Sequence, residues 1–198
     1  EAAMKKIQRL RIFGSAAILV WSIVASANSS VGHLAYGLYI FDQLGKDPNF
    51  MRDLDSPDRQ ALSEPITRGD GSVKTFNELN MAQKSFLMGT TMLDALTGAK
   101  VIHDGEANRY VATAYEVSEE LGNSSNCLRY MAMGAKTHIE ADCDEHGKLS
   151  RAGVSKADHV WLEEQRDNKR AEIIAEQLRL PKDGFWALCK SISGFDSP

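Results

Sequence analysis

The sequence predicts an all-α protein, an irregular bundle of four to six helices with a hydrophobic helix at the N-terminus. Apolar residues recur at helical spacing in several segments, whereas no segment of useful length alternates in the manner of a β-strand. The chain also contains no internal repeat and no glycine-rich nucleotide-binding loop. These patterns together favour a helical bundle over the α/β classes.

The length of the chain fits one ordinary domain with an appendage. The 198 residues are 43% hydrophobic and 25% charged, which is typical of a globular protein. However, no Asp, Glu, Lys or Arg occurs between Arg11 and Asp42. We therefore predict two parts: a basic and hydrophobic targeting or anchor helix at residues 1–41, and a soluble helical domain at residues 42–198.

The charge is divided unequally between these parts. Residues 1–27 contain four basic side chains and one acidic one, so they carry +3, and the remainder carries −7 of the net charge of −4. A nucleic-acid partner requires a clustered basic face that displaces counterions from phosphates. The acidic body therefore predicts no nucleic-acid partner.

The apolar run from Ile12 to Ala27 has three interpretations. It is a retained membrane anchor, a signal peptide cleaved after Ala25-Ser26-Ala27, or a core helix of a soluble bundle with His33 in its polar stripe. Basic residues before an apolar run predict that the body is exported. We expect a membrane-associated protein with an extracytoplasmic body, or a secreted one if the segment is cleaved.

Two further features of this region bear on its partners. A spanning helix needs about 20 apolar residues, and the uncharged stretch at 12–41 is long enough to supply them. Ser22, Ser26 and Ser30 recur every four residues, so they share one helical face on which another helix can approach closely. We predict contact with the membrane through residues 12–41 and a helix-packing interface at the three serines.

In the body, apolar spacing and helix-capping patterns predict a series of helices with an irregular stretch from Asp142 to Gly153. A capping-box pattern, Thr75 with Glu78, marks the predicted start of the second of them. The predicted helices span Ser56–Ser63, Thr75–Leu96, Ala107–Leu121, Cys127–Ala141, Lys156–Leu178 and Phe185–Ile192.

The irregular stretch contains the candidate metal ligands. Asp142, Asp144 and His146, followed by glycine, partly match a calcium-binding loop, although Gly153 stands where that loop needs a bidentate carboxylate. Alternatively, His138, Cys143 and His146 supply the nitrogen and sulfur ligands that zinc prefers, with Asp142 or Asp144 as the fourth ligand. An acidic turn without a metal is the simpler interpretation of the same residues.

The three cysteines allow a limited set of disulfides. If Cys127 and Cys143 flank one helix, they are roughly 24 Å apart and cannot bond to each other. Only Cys189 can pair with either of them. We predict a disulfide between Cys189 and Cys127 or Cys143 in an exported body, or three thiols in a reducing compartment.

The sequence contains no Glu-x-x-His pair of the kind that forms a helical di-iron site. The catalytic candidates are carboxylate pairs, which occur in many acidic helical proteins. They are Glu119 with Glu120, Asp142 with Asp144, and Glu163 with Glu164, together with His103-Asp104. Arg68-Gly69-Asp70 matches an integrin-ligand triplet, but it lies among turn-forming residues and is more simply a turn.

The sequence therefore predicts a non-enzymatic, membrane-anchored or exported helical protein that binds other protein subunits or a second copy of itself, as part of an envelope complex. The alternatives are an exported hydrolase that uses paired carboxylates and a helical module that binds calcium or zinc.

Overall fold

The computed structural model describes residues 30–96, 116, 126–151 and 156–193. Within these ranges, side chains are described at 31–91, 116, 126–141, 165, 166 and 168–192. This part of the chain is 73% helical and contains no strand, so the predicted all-α fold is confirmed. Its helices are α1 (Ser30–Lys46), α2 (Ser56–Leu62), α3 (Met81–Leu96), α4 (Asn126–Arg151), α5 (Lys156–Gln177) and α6 (Lys182–Ser193), with a 3-10 helix at Phe76–Glu78.

Helix α3 begins later than its capping box predicts. The Glu78 carboxylate accepts hydrogen bonds from the Thr75 N–H and hydroxyl, both at 2.7 Å, but this pairing caps the 3-10 helix. The side chain of Asn80 instead accepts the Gln83 N–H at 2.8 Å and so caps α3. The predicted capping pair is therefore present, but the α-helix begins at Met81, six residues after the predicted start at Thr75.

Helix α4 continues through most of the stretch that was expected to be irregular. It runs to Arg151, so the expectation of a loop is wrong for residues 142–151. The acidic side chains and Gly147 suggest a turn, but the segment also contains Glu145, Lys148 and Leu149, which have high helix propensity. Each of its two internal glycines, Gly134 and Gly147, costs about 1 kcal/mol, which a 26-residue packed helix tolerates.

Helix α1 crosses the predicted domain boundary between residues 41 and 42. Val31, Leu34, Leu38 and Phe41 are all nearly inaccessible to solvent, and α1 packs against α3 and α5. Residues 31–41 therefore belong to the helical body, and they lack charge because they face its core. Residues 1–29 lie outside the described part of the chain.

None of the helices in the described ranges is long and apolar enough to cross a membrane.

Helices α3 and α4 cross in backbone contact at two glycines. A Cβ atom on Gly89 would lie 2.1 Å from the Met131 carbonyl oxygen, and one on Gly134 would lie 2.0 Å from the Phe86 carbonyl oxygen. No side chain fits at either position, because real Cβ contacts essentially never fall below 3.0 Å. The crossing therefore requires glycine on both helices.

The core extends outward from this crossing. The Phe86 ring meets the Phe41 ring edge to face, with 5.3 Å between centroids, which joins α3 to α1. At the other end of the chain, the buried Phe185 and Trp186 rings of α6 stand 5.2 Å apart in the same core. Helix α1 thus lies between the two-helix crossing and the C-terminal helices.

We expect Gly89→Ala and Gly134→Ala each to destabilise the protein strongly. The new methyl group overlaps a main-chain carbonyl of the opposite helix, so the two helices must separate. Overpacking of this kind costs about 1–3 kcal/mol and sometimes more. Thermal denaturation followed by circular dichroism measures the loss.

Two other glycines provide graded controls. A Cβ on Gly37 would come closest to the end of the flexible Leu87 side chain, at 2.7 Å, with the Thr90 and Phe86 side chains at 3.6 and 3.7 Å, and one on Gly69 would meet nothing within 4 Å. Gly37→Ala should therefore cost less than either crossing variant, and Gly69→Ala should be close to neutral. Equal melting temperatures for all four variants would contradict the crossing.

Candidate functional site

A groove of about 270 Å³ opens between three separate segments of the chain. The C-terminal turns of α1 form one wall, the non-helical segment 63–67 forms the second, and the turn after α5 forms the third. The lining residues are Phe41, Asp42, Gly45, Lys46, Ser63, Glu64, Pro65, Ile66, Thr67, Leu178 and Leu180.

The turn that ends α5 places two leucines in the groove. Arg179 adopts a left-handed conformation with φ of 54°, its N–H donates to the Glu176 carbonyl, and the Leu180 N–H donates to the Ala175 carbonyl. These two bonds form the Schellman arrangement that ends many helices. The reversal of the chain at Arg179 brings both Leu178 and Leu180 to the groove.

The wall formed by segment 63–67 is fixed in place by side chains of α3. The Asn80 amide donates to the Ala61 carbonyl at 2.6 Å. The fully buried Gln83 amide donates to the carbonyls of Leu62 and Glu64, at 3.2 and 2.7 Å. Segment 63–67 is therefore held against the core although it belongs to no helix.

The interior of the groove is apolar and its rim is charged. The buried Phe41 and Ile66 lie at its base. At the rim, the Lys46 ammonium pairs with the Asp42 carboxylate at 2.7 Å, and Glu64 adds a second carboxylate. Such a site favours a ligand with an apolar group to bury and polar or basic groups near it.

A second polar cluster connects α2 to α4. The Tyr130 hydroxyl donates to the Asp58 carboxylate at 2.8 Å, and the Arg129 guanidinium forms ion pairs with Asp58 and with Asp55, the latter at 3.1 Å. Asp58 is buried, and its neighbour Asp55 caps α2 by accepting the Asp58 N–H at 3.0 Å. Each carboxylate thus has a structural partner.

The electrostatics of this cluster suit stabilisation rather than proton transfer. The hydrogen bond from the Asp58 N–H, assisted by Arg129, lowers the pKa of Asp55. Burial, together with the hydrogen bond to Asp58, raises the pKa of Tyr130 to about 12. At neutral pH Asp55 is ionised and Tyr130 is protonated, so neither group titrates where a general acid or base must act.

The Arg68-Gly69-Asp70 triplet is a turn, as its surroundings predict. It lies in a short hairpin, residues 66–74, in which Thr67 and Val73 form an antiparallel bridge. The Arg68 guanidinium pairs with both oxygens of the Glu78 carboxylate and also donates to the Ser72 hydroxyl and the Val73 carbonyl. This pairing, with help from Thr75, lowers the pKa of Glu78 to about 2. Because its arginine is occupied by the hairpin itself, the triplet does not present the free guanidinium of an integrin ligand.

The core contains two stacked histidines. The rings of His33 in α1 and His138 in α4 have centroids 3.9 Å apart and are inclined by 28°. Nδ1 of His138 lies 2.8 Å from the Thr90 carbonyl oxygen, so it donates to α3. His33 was placed in a polar stripe from the sequence, but both rings are buried. The lone pairs of stacked rings lie in nearly parallel planes and do not converge on one ion, so this arrangement fits packing rather than shared metal binding.

The predicted metal ligands lie on one continuous helix. Residues 142–151 are helical and so do not form the loop that a calcium site of the predicted type needs. Of the predicted ligands, only His138 has a described side chain, and it is buried. Side chains beyond 141 lie outside those described, and the described residues contain no group of three or more ligands suited to a metal. The zinc assignment stays a prediction.

Two of the three cysteines are thiols in the described structure. Cys127 is exposed at the start of α4, whereas Cys189 is buried in α6, so the structure does not contain the predicted Cys127–Cys189 disulfide. Burial raises the pKa of the Cys189 thiol and keeps it protonated. The side chain of Cys143 lies outside the described residues.

Several other predicted site residues also lie outside what the structure describes. Ser22 and Ser26 precede the described residues, and Ser30 is described only as the first residue of α1. Residues 103, 104, 119 and 120 are outside the described ranges, and the side chains of 163 and 164 are likewise not described. The serine interface and the carboxylate pairs remain predictions.

Sequence reasoning missed both sites that the structure brings together. The groove joins segments around residues 45, 65 and 180, and no periodicity links them. The sequence Asp55-Ser-Pro-Asp58 does carry a helix-capping signal, with proline in the first turn, and it would have located the start of the acidic cluster. Nothing in the sequence pairs that signal with Arg129.

No protein-family model matches this chain, and no curated protein or solved structure does so either.

We expect Tyr130→Phe to destabilise the protein by about 1.5–3 kcal/mol at neutral pH, the usual value for a hydrogen bond to a charged group. The raised pKa means that the folded state holds the Tyr130 proton more tightly than the unfolded state. This contribution is complete below the ordinary value of 10 and is lost as pH rises towards 12. The stability difference between wild type and variant should therefore shrink across that interval.

Urea denaturation of both proteins at several pH values measures this difference. Tyrosinate absorbance reports the ionisation directly, and wild type should contain one late-titrating tyrosine that the variant lacks. A constant difference up to pH 12 would contradict the assignment of the raised pKa to Tyr130.

Proposed function

We propose that the protein is a membrane-anchored or exported helical protein that acts by binding another protein, and that the groove between α1, segment 63–67 and the turn after α5 is the binding site. The groove itself carries this proposal. It combines a buried apolar base with a polar rim, and it is large enough for one bulky side chain of a partner. Burial of a leucine or phenylalanine there would contribute roughly 1.5–3 kcal/mol.

The rigidity of the walls supports a binding role. Segment 63–67 is held by Asn80 and Gln83, and the loop after α1 is held by Arg59, whose guanidinium donates to the carbonyls of Leu44, Asp47, Phe50 and Met51. A groove that is already formed loses little conformational freedom when a partner binds.

The N-terminal sequence supports the proposed location of the body. Because residues 31–41 pack inside the body, the segment proposed to contact the membrane narrows from 12–41 to 12–29. Eighteen helical residues extend roughly 27 Å, close to the 30 Å of a hydrocarbon core. The basic residues before it favour a body outside the cytoplasm.

A groove-filling variant tests the binding role. Gly45 lines the groove, and an added Cβ would stand 3.6 Å from the Ser63 carbonyl oxygen in ordinary contact, so Gly45→Phe fills the space without a backbone clash. Gly69→Phe adds the same side chain in open space at the hairpin tip. A photoreactive amino acid at Ser63 in native cells should crosslink a protein of defined mass in wild type and in Gly69→Phe.

The adduct should be lost in Gly45→Phe, whose melting temperature should stay close to that of wild type. An adduct that is equally strong in both variants, or no protein adduct in wild type, would show that the groove is not a protein-binding site.

Intact mass and detergent dependence test the location. We expect a protein isolated from its native membranes to retain residues 12–29 and to need detergent for solubility. A chain that starts near Asn28 and is soluble without detergent would replace the anchor with a cleaved signal. A full-length chain found in the cytosol would contradict export in either form.

A further inference from the structure

The short hairpin beside the groove has one unpaired backbone edge. The Lys74 N–H donates to the Ile66 carbonyl at 2.9 Å, and the Arg68 N–H donates to the Ser72 carbonyl at 2.8 Å. The backbone groups that residues 66 and 68 use in these bonds therefore face residues 72 and 74, and the backbone groups of Thr67 between them point the other way. Neither the Thr67 N–H nor its carbonyl has a hydrogen-bond partner in the described part of the chain.

This edge borders the groove and is short. Thr67 is half-buried and is one of the lining residues. Pro65, two residues before Thr67, has no N–H to donate. A peptide that adds to this edge can therefore exchange two hydrogen bonds with Thr67, but at residue 65 it can only donate one to the carbonyl. An extended chain can use such an edge, whereas a helix cannot, because its backbone groups are already paired.

We propose that the partner segment is an extended peptide that pairs with the Thr67 N–H and carbonyl and places one large apolar side chain among Phe41, Ile66, Leu178 and Leu180. This inference rests on the proposed function and specifies its ligand. It is a case of strand addition to an open edge, in which backbone hydrogen bonds align the peptide and the neighbouring pocket selects a side chain.

The charge at the rim specifies a second feature of the peptide. Two carboxylates, Asp42 and Glu64, flank the groove, and the Lys46 ammonium already pairs with Asp42. The rim therefore carries a net negative charge, which favours a basic residue beside the apolar one. The ligand has the character of an extended apolar-basic segment.

Selection from a peptide library tests the proposal. Random seven-residue peptides are displayed on phage. Phage that bind the Gly45→Phe variant are removed first, and the remaining phage are selected for binding to the wild-type protein. A synthetic copy of a recovered peptide serves as the probe, and its affinity is measured by isothermal titration calorimetry. Each backbone nitrogen of this peptide is then methylated in turn.

N-methylation at one position should weaken binding at least about tenfold, because it removes the donor to the Thr67 carbonyl, while methylation at the two adjacent positions should have a small effect. Glu64→Gln should weaken binding of a basic peptide about twofold to fivefold. Since the methyl groups are on the peptide, the folding of the protein does not affect the result.

The outcomes separate the two proposals. If peptides depend on the groove but tolerate methylation at every position, the backbone pairing is wrong and the groove remains a protein-binding site. If no peptide distinguishes wild type from Gly45→Phe, both the pairing and the binding role of the groove are overturned.

Discussion

Helices α3 and α4 touch backbone to backbone at Gly89 and Gly134, and this contact determines where the neighbouring helices can lie. The two residues of α3 that meet Gly134, Phe86 and Thr90, also face Gly37 of α1. Three helices therefore converge at one level of the bundle. The Thr90 carbonyl accepts a hydrogen bond from His138 at this level, so the main chain of α3 is in contact with its neighbours through both packing and polar interactions.

The groove is a consequence of the same arrangement. Phe86 supports Phe41, which lies at the base of the groove. Gln83, three residues earlier in α3, donates to the carbonyls of Leu62 and Glu64 and so holds segment 63–67. One helix thus positions two of the three walls. The third wall depends on α5, which packs against α1 and ends at the left-handed Arg179. A shift of α3 would therefore change the width of the groove without touching any residue that a ligand contacts.

The sequence predicted the helical class and most of the helices because apolar spacing records which face is buried. It assigned residues 31–41 to the N-terminal segment because an uncharged helix inside a core and a helix inside a membrane have similar composition. At residues 142–151, acidic turn-like residues concealed a helix. Neither the groove nor the pairing of Arg129 with Asp55 and Asp58 was predictable, because both join segments that are distant in the chain.

Three of the described arginines hold separate segments of the chain together. Arg59 donates to the Leu44 carbonyl in the last turn of α1, Arg68 closes the hairpin with Glu78, and Arg129 forms ion pairs in the acidic cluster. The Thr67 edge differs, because its two backbone groups are unused by the described residues beside an apolar cavity. In an anchored chain, Gly45 would be about 22 Å along α1 from Ser30, where the helix begins next to the proposed membrane segment. A partner engaged there would lie near the membrane surface without being inserted in it.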